Sequence, residues 1–164
     1  MASSDYLLKI EGIKGESKDS KHKEEIDVLS WAWSEQQTGT NAYGGGGGAG
    51  KVNMKDFLFT MKTNQGSPNL MVACATGRHI DKAVFTCRKA GGDQQQEYLI
   101  YTFSPVVISS FSSGGPASEK DPVPVETITF NFGQIEIEYR QQDEKGNAMA
   151  PVKTGYSLKE NKKL

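Results

Sequence analysis

The chain has 164 residues, 36% hydrophobic and 24% charged. That is one domain's length, with enough apolar material for a core that needs no disulfide or metal staples. A formal charge of -1 and an isoelectric point near 6.1 give no electrostatic reason to expect nucleic acid or an anionic membrane as partner.

The opening MASSDYLLKIEG offers Tyr6, Leu7, Leu8 and Ile10 as apolar material and carries no cleavage pattern. No run approaches the roughly 20 apolar residues of a membrane-spanning helix. The expectation is a protein made in the cytoplasm without a signal peptide, exported only if a dedicated machine carries the folded chain. Residues 6–13 read as a first strand closed by Gly12 and Gly15. The next stretch, GESKDSKHKEEIDVLSWAW (15–33), passes from a charged, turn-prone lead-in to Ile26, Val28, Leu29, Trp31 and Trp33. Apolar residues of both parities there give a second strand something to bury on each face, with both tryptophans on one side.

After a polar, glycine-rich stretch, residues 52–62 alternate Phe57, Phe59 and Met61 against Leu58 and Thr60. One helix is predicted next. Ser67 is its expected N-cap, Pro68 its first position and Gly77 its left-handed C-terminal residue, with Leu70, Ala73 and Cys74 on one face. Strands follow at 83–88, 97–103 and 106–111, separated by turn segments at 88–95 and 112–124. In 126–140 the apolar parity changes from Ile128, Phe130 and Phe132 to Ile135, Ile137 and Tyr139. Gly133 sits at the change, where a bulge or corner keeps both sets facing the core. The prediction is one mainly β domain over 1–164: a compact β-barrel of two sheets with one short flanking helix. A Gly-rich extended loop at 39–51 and a flexible, solvated tail at 159–164, with Lys159, Lys162 and Lys163, complete it. Strands 98–103 and 106–108 are apolar on both faces, which asks for cover from a second subunit.

Chemical motifs are sparse. Gly45 to Lys51 fits G-x-x-x-x-G-K, the start of a phosphate-cradling loop, yet Val52 stands where a hydroxyl would ligate magnesium and a strand follows where a helix is needed. His22 lies near Asp19 and Glu24 in sequence, as a carboxylate-oriented base would, but no nucleophile elbow accompanies it. It reads as a polar loop residue holding the turn before the tryptophans. His79 follows the helix end, where a cation favours the dipole. Glu136 and Glu138 share one strand face and read as its solvated side. Cys74 and Cys87 are too few for a disulfide framework, lack metal spacing, and read as small buried hydrophobes. No catalytic residue, cofactor or metal is expected.

The combination of GESKD, His22, IDVL and W-x-W resembles the haemolysin-coregulated protein (Hcp) family, tube-forming components of bacterial type VI secretion systems. The resemblance continues through GGGGGAGKVN, PNLMVACATGRH, RKAGG, EYL, NFGQIEIEY and APVKTGY, in order across most of the chain. Ser34 departs from the glycine common after the second tryptophan, and Tyr156 stands where relatives often have tryptophan. The resemblance implies a barrel with a flanking helix that assembles into homohexameric rings. Those rings would stack into a tube within a sheath, beneath a spike, and be ejected from the cell, with small effector proteins carried and chaperoned in the lumen. Carried onto this chain, the extended loop is expected to reach across the ring-to-ring contact through Gly39, Tyr43, Gly44, Gly45, Gly46, Gly47, Gly48 and Lys51. Ile100 and Ile108, on the two-faced strands, are the candidate contacts between neighbours in a ring. The alternatives are a cargo-specialised Hcp adaptor, or a small-ligand-binding barrel or enzyme on the same scaffold.

Overall fold

Period-two alternation sends the large apolar side chains of successive strands to one side, where they meet in an aromatic core. The computed structural model describes residues 4–39, 50–91, 94–117 and 120–164. In chain order its strands are β1 (Ser4–Ile10), β2 (Ile26–Asp27), β3 (Ser30–Ala32), β4 (Glu35–Gln36), β5 (Asn53–Met54) and β6 (Phe57–Lys62). After helix α1 (Ser67–Thr76) come β7 (His79–Ile80), β8 (Ala83–Gly91), β9 (Gln94–Gly114), β10 (Val125–Tyr139), β11 (Val152–Ser157) and β12 (Lys162–Lys163).

The frame is the long antiparallel pair β9–β10, matched from Gly114 opposite Val125 to Leu99 opposite Tyr139. β8 lines the first half of β9, and β1 lines β8. The outer edge of β10 takes β6 along its first half and β11 along its second. The two strands expected at 97–103 and 106–111 are thus one, running through Pro105, which sits opposite Gly133. A Cβ on Gly133 would stand 3.1 Å from Pro105 Cδ. Burial changes parity there, from Phe132 to Ile135, as the sequence pattern required.

The mainly β class with one short flanking helix holds, but the barrel expectation needs a correction. Among the described residues no ladder closes the ten-stranded sheet; β4 and β5 form a separate pair. Instead one segment crosses the gap, leaving β1 at Ile26 opposite Leu8 and joining β6 at Trp31 opposite Phe59. Val28 N–H donates to Tyr6 O at 3.0 Å and Leu29 N–H to Thr60 O at 2.8 Å, so main chain rather than a ladder spans the opening.

Phe57, Phe59, Phe85, Phe103 and Phe130 are fully buried inside. α1 covers this core with Leu70 and Ala73 and ends at Gly77, whose φ of 64° suits a residue without Cβ. Ser67 is not the N-cap. Gly66 occupies that position, and the Ser67 hydroxyl instead donates to buried Glu126 at 2.7 Å. His79 follows the helix end as expected and pairs with Val107 as part of β7. The tail expected to be flexible turns back, with Lys162 opposite Ser157 and Lys163 opposite Tyr156, leaving its lysine side chains exposed.

Candidate functional surfaces

Of the residues expected to carry ring stacking, Gly39 and Lys51 are described; Tyr43, Gly44, Gly45, Gly46, Gly47 and Gly48 lie outside the described residues. The root of this loop is a ribbon, with Glu35 opposite Met54 and Gln36 opposite Asn53. The Trp33 indole N–H donates to Lys55 O at 3.0 Å, and Lys55 N–H to Ser34 O at 2.9 Å. Beyond the ribbon the two legs stay close, since a Cβ on Gly50 would stand 2.9 Å from Thr38 O. Glycine at 50 is therefore needed for the close approach of the two legs.

A second surface arises from the reverse side of the core strands. Residues alternating with Phe57, Phe59, Ile128 and Phe130 point the other way. The ladders across β3, β6, β10 and β9 set out one row as Ser30, Thr60, Thr127 and Ser112. The next row is Ala32, Leu58, Thr129 and Ser110. Hydroxyls bond across the strands: Ser30 with Thr60 at 2.6 Å, and Thr129 with Ser109 at 2.8 Å and Ser110 at 2.5 Å. Charge is kept to the margins, where Lys62 pairs with Asp121 at 3.2 Å and Asp56 accepts from Ser109. All eight row residues are exposed or half-exposed. The sequence pattern does not reveal this face because 112–114 reads as turn, whereas β9 runs through to Gly114. Its signal was available in the matching parity of Thr127 and Thr129 with Ser110 and Ser112.

The two candidate interface residues part company. Ile108 is only 2% exposed and lies in the core, so its side chain is already used by its own chain. Ile100 points away from the core between Thr86 and Glu138 and remains half-buried.

Polar side chains singled out in the sequence are engaged with one another. His22 faces Glu25 and Glu97, each at 2.7 Å, rather than Asp19 or Glu24. Asp19 accepts from Arg88 at 2.8 Å, and that guanidinium, with backbone N–H donors, holds its carboxyl down to about 2. Glu24 pairs with Lys14 at 3.3 Å, Glu136 with Lys153 at 3.5 Å and Glu138 with Arg140 at 3.0 Å. Burial pushes the Cys87 thiol up to about 12, which leaves it protonated and unreactive. Among the described residues no group of three or more His, Cys, Asp or Glu is placed to hold a metal ion.

The profile of the family described as "Type VI secretion system effector, Hcp" matches residues 7–139. The chain is 47% identical over 158 residues to Protein hcp1 of Pseudomonas aeruginosa strain PAO1, covering 96% of each. The crystal structure of Hcp1 from Salmonella typhimurium matches with a TM-score of 0.81 at 36% identity, covering 99% of this chain and all of that one. A structure described as that of a type six secretion system protein reaches 0.90 at 31% identity, covering 98% of this chain and 99% of its own. Fold, helix placement and near-complete coverage in both directions agree with the motifs read along the sequence: the chain belongs to the Hcp family of type VI secretion proteins.

Proposed function

We propose that the chain is the tube subunit of a type VI secretion system, assembling as hexameric rings that stack and leave the cell with cargo inside. The observation that carries the cargo part is the two-sided construction of β3, β6, β9 and β10. One side is an aromatic core. The other is a broad face of small, uncharged side chains whose hydroxyls are largely bonded to each other. A wall over which varied proteins must pass benefits from weak, non-specific contact, and uncharged serine and threonine rows supply that without steering by charge. In this reading that face lines the lumen. The ribbon-rooted loop 39–51 reaches the next ring, and Ile100 contributes to the contact within a ring. Sheath, spike and effector proteins are the partners this role requires.

Light scattering coupled to size exclusion, checked by negative-stain imaging, tests the ring directly. A six-subunit mass with annular particles is expected, and a stable monomer overturns the assembly. Thr129→Arg then tests the wall: the ring mass stays, while recovery of a co-expressed small secreted protein falls several-fold. Unchanged recovery refutes the lumen assignment and leaves the ring standing. Deleting 44–48 should likewise preserve rings but stop their lengthening into tubes.

A further inference from the structure

The motif between the first strand and the tryptophans is not absorbed by the tube reading. Residues 15–25 form a strap that doubles back on itself, with Gly15 N–H donating to Glu24 O at 2.8 Å and Ser17 N–H to Glu25 O at 3.0 Å. A Cβ on Gly15 would stand 2.5 Å from Glu25 O, so no side chain fits between the two legs. The strap lies over the face of β8 that carries Thr86 and Arg88, opposite the aromatic core. Both residues are buried there, as is Leu7 beside them on β1.

Two charged contacts fasten it. Arg88 of β8 reaches Asp19 in the strap at 2.8 Å and Asp5 of β1 at 3.2 Å. His22 in the strap reaches Glu25 through Nδ1 and Glu97 of β9 through Nε2, both at 2.7 Å. The His22 and Glu25 side chains are only 10% and 11% exposed. A neutral imidazole has one N–H, so its second nitrogen would turn a lone pair toward a carboxylate oxygen. Contact at 2.7 Å on both sides therefore calls for an imidazolium between two carboxylates, or one proton passed to a carboxylate.

Other charges surround the trio. Lys9 of β1 acts on Glu25; Asp27 of β2, Asp5, Asp19 and Arg88 lie at the neighbouring clasp. Burial pushes the Glu25 carboxyl up against the opposing pull of His22. Among the described residues, Arg88 Nε is a buried donor with no acceptor, so the second clasp is incompletely satisfied from the start.

We propose that His22 is a proton-held latch: as imidazolium it fastens the strap to β9, and loss of that proton frees the strap from β9. Deprotonation leaves one N–H donating to a carboxylate and turns the other contact into a nitrogen lone pair facing a carboxylate oxygen, which repels. The trio's single net negative charge becomes two within the same half-buried space. The Asp19–Arg88 pair keeps its charges over this range, so the strap lets go of β9 while Asp19 still holds it to β8.

Hydrogen exchange of the full chain, followed across about pH 5 to 8 and corrected for intrinsic rates, tests the latch alongside the imidazole proton shifts. Protection at Ser17 and Glu24, whose N–H groups join the two legs, should fall by roughly tenfold or more as the contact to Glu97 is lost. That fall should track the His22 ring signal, with exposed His79 as reference, while the β9–β10 ladder keeps its protection. Glu97→Gln should bring the opening to lower pH, and His22→Gln should leave the strap open at every pH. Flat strap protection while His22 titrates overturns the latch. So does opening that coincides with loss of the β9–β10 ladder, or a Glu97→Gln chain that behaves like the parent.

Discussion

Phe57→Ala removes the hub of the aromatic core. The ring centroid of Phe57 lies 5.1 Å from Phe85, 5.0 Å from Phe103, 5.1 Å from Phe130 and 5.9 Å from Trp31. Each close ring pair adds about 0.5–1.5 kcal/mol beyond area burial, and a buried phenylalanine truncated to alanine costs about 3–5 kcal/mol in all. The neighbours sit on β8, β9, β10 and β3, whose ladders fix them, so the hole closes poorly and the upper part of that range applies. For a chain of this length about 4 kcal/mol lowers Tm by roughly 8–16 °C. The assay is thermal unfolding by circular dichroism at one fixed protein concentration, because ring assembly adds stability by mass action. Emission from Trp31, stacked on Phe57 with a 16° interplanar angle, reports the local loss independently. Phe111→Ala, at a half-buried position, is the control and should cost about half as much or less. Equal losses at the two positions would refute the claim that one aromatic cluster dominates this core.

Two further expectations concern titration and reactivity. The Asp19 carboxyl titrates lower in the folded chain than unfolded, so its stabilising contribution is complete above about pH 4 and is lost as the pH falls toward about 2. Asp19→Asn should flatten that acid limb in a denaturation-midpoint series, and an unchanged acid limb would show that the Arg88 contact carries no linkage. Cys87, fully buried with its thiol pushed up to about 12, should resist a maleimide under native conditions, whereas half-buried Cys74 takes one label. Mass spectrometry reads the difference, and rapid double labelling of a folded chain would contradict the burial of β8.

Much of the fold is written in parity. Phe57, Phe59 and Met61 announce the inward side of β6, and the switch across Gly133 announces the bend in β10. Both follow from side chains alternating on a pleated strand. What parity cannot give is closure. The chain between Ile26 and Ala32 looks like one strand, yet it divides its hydrogen bonds between β1 and β6, and no local pattern states which edges lie close enough to be bridged. The same limit applies to Ile100 and Ile108. Both sit on a strand that is apolar on two sides, but the change of buried parity across Pro105, from Phe103 to Val106, decides which one the core takes.

His22 shows how a correctly singled-out residue can still have its partners misassigned. Sequence proximity favours Asp19 and Glu24, but the turn set by Asp19, whose carboxylate accepts the Lys21 and His22 N–H groups, directs the imidazole the other way. Glu97, 75 positions away, becomes its second carboxylate only because β8 pairs with β9 beside the strap. The hydroxyl face depends on tertiary pairing in the same way. Serine and threonine are weak signals singly, and only the ladders from β3 through β6 and β10 to β9 turn scattered hydroxyls into a continuous wall. The core therefore leaves a strong local signature because burying aromatic area needs many large residues, whereas the surfaces that act on other molecules are made from ordinary residues whose meaning lies in their neighbours.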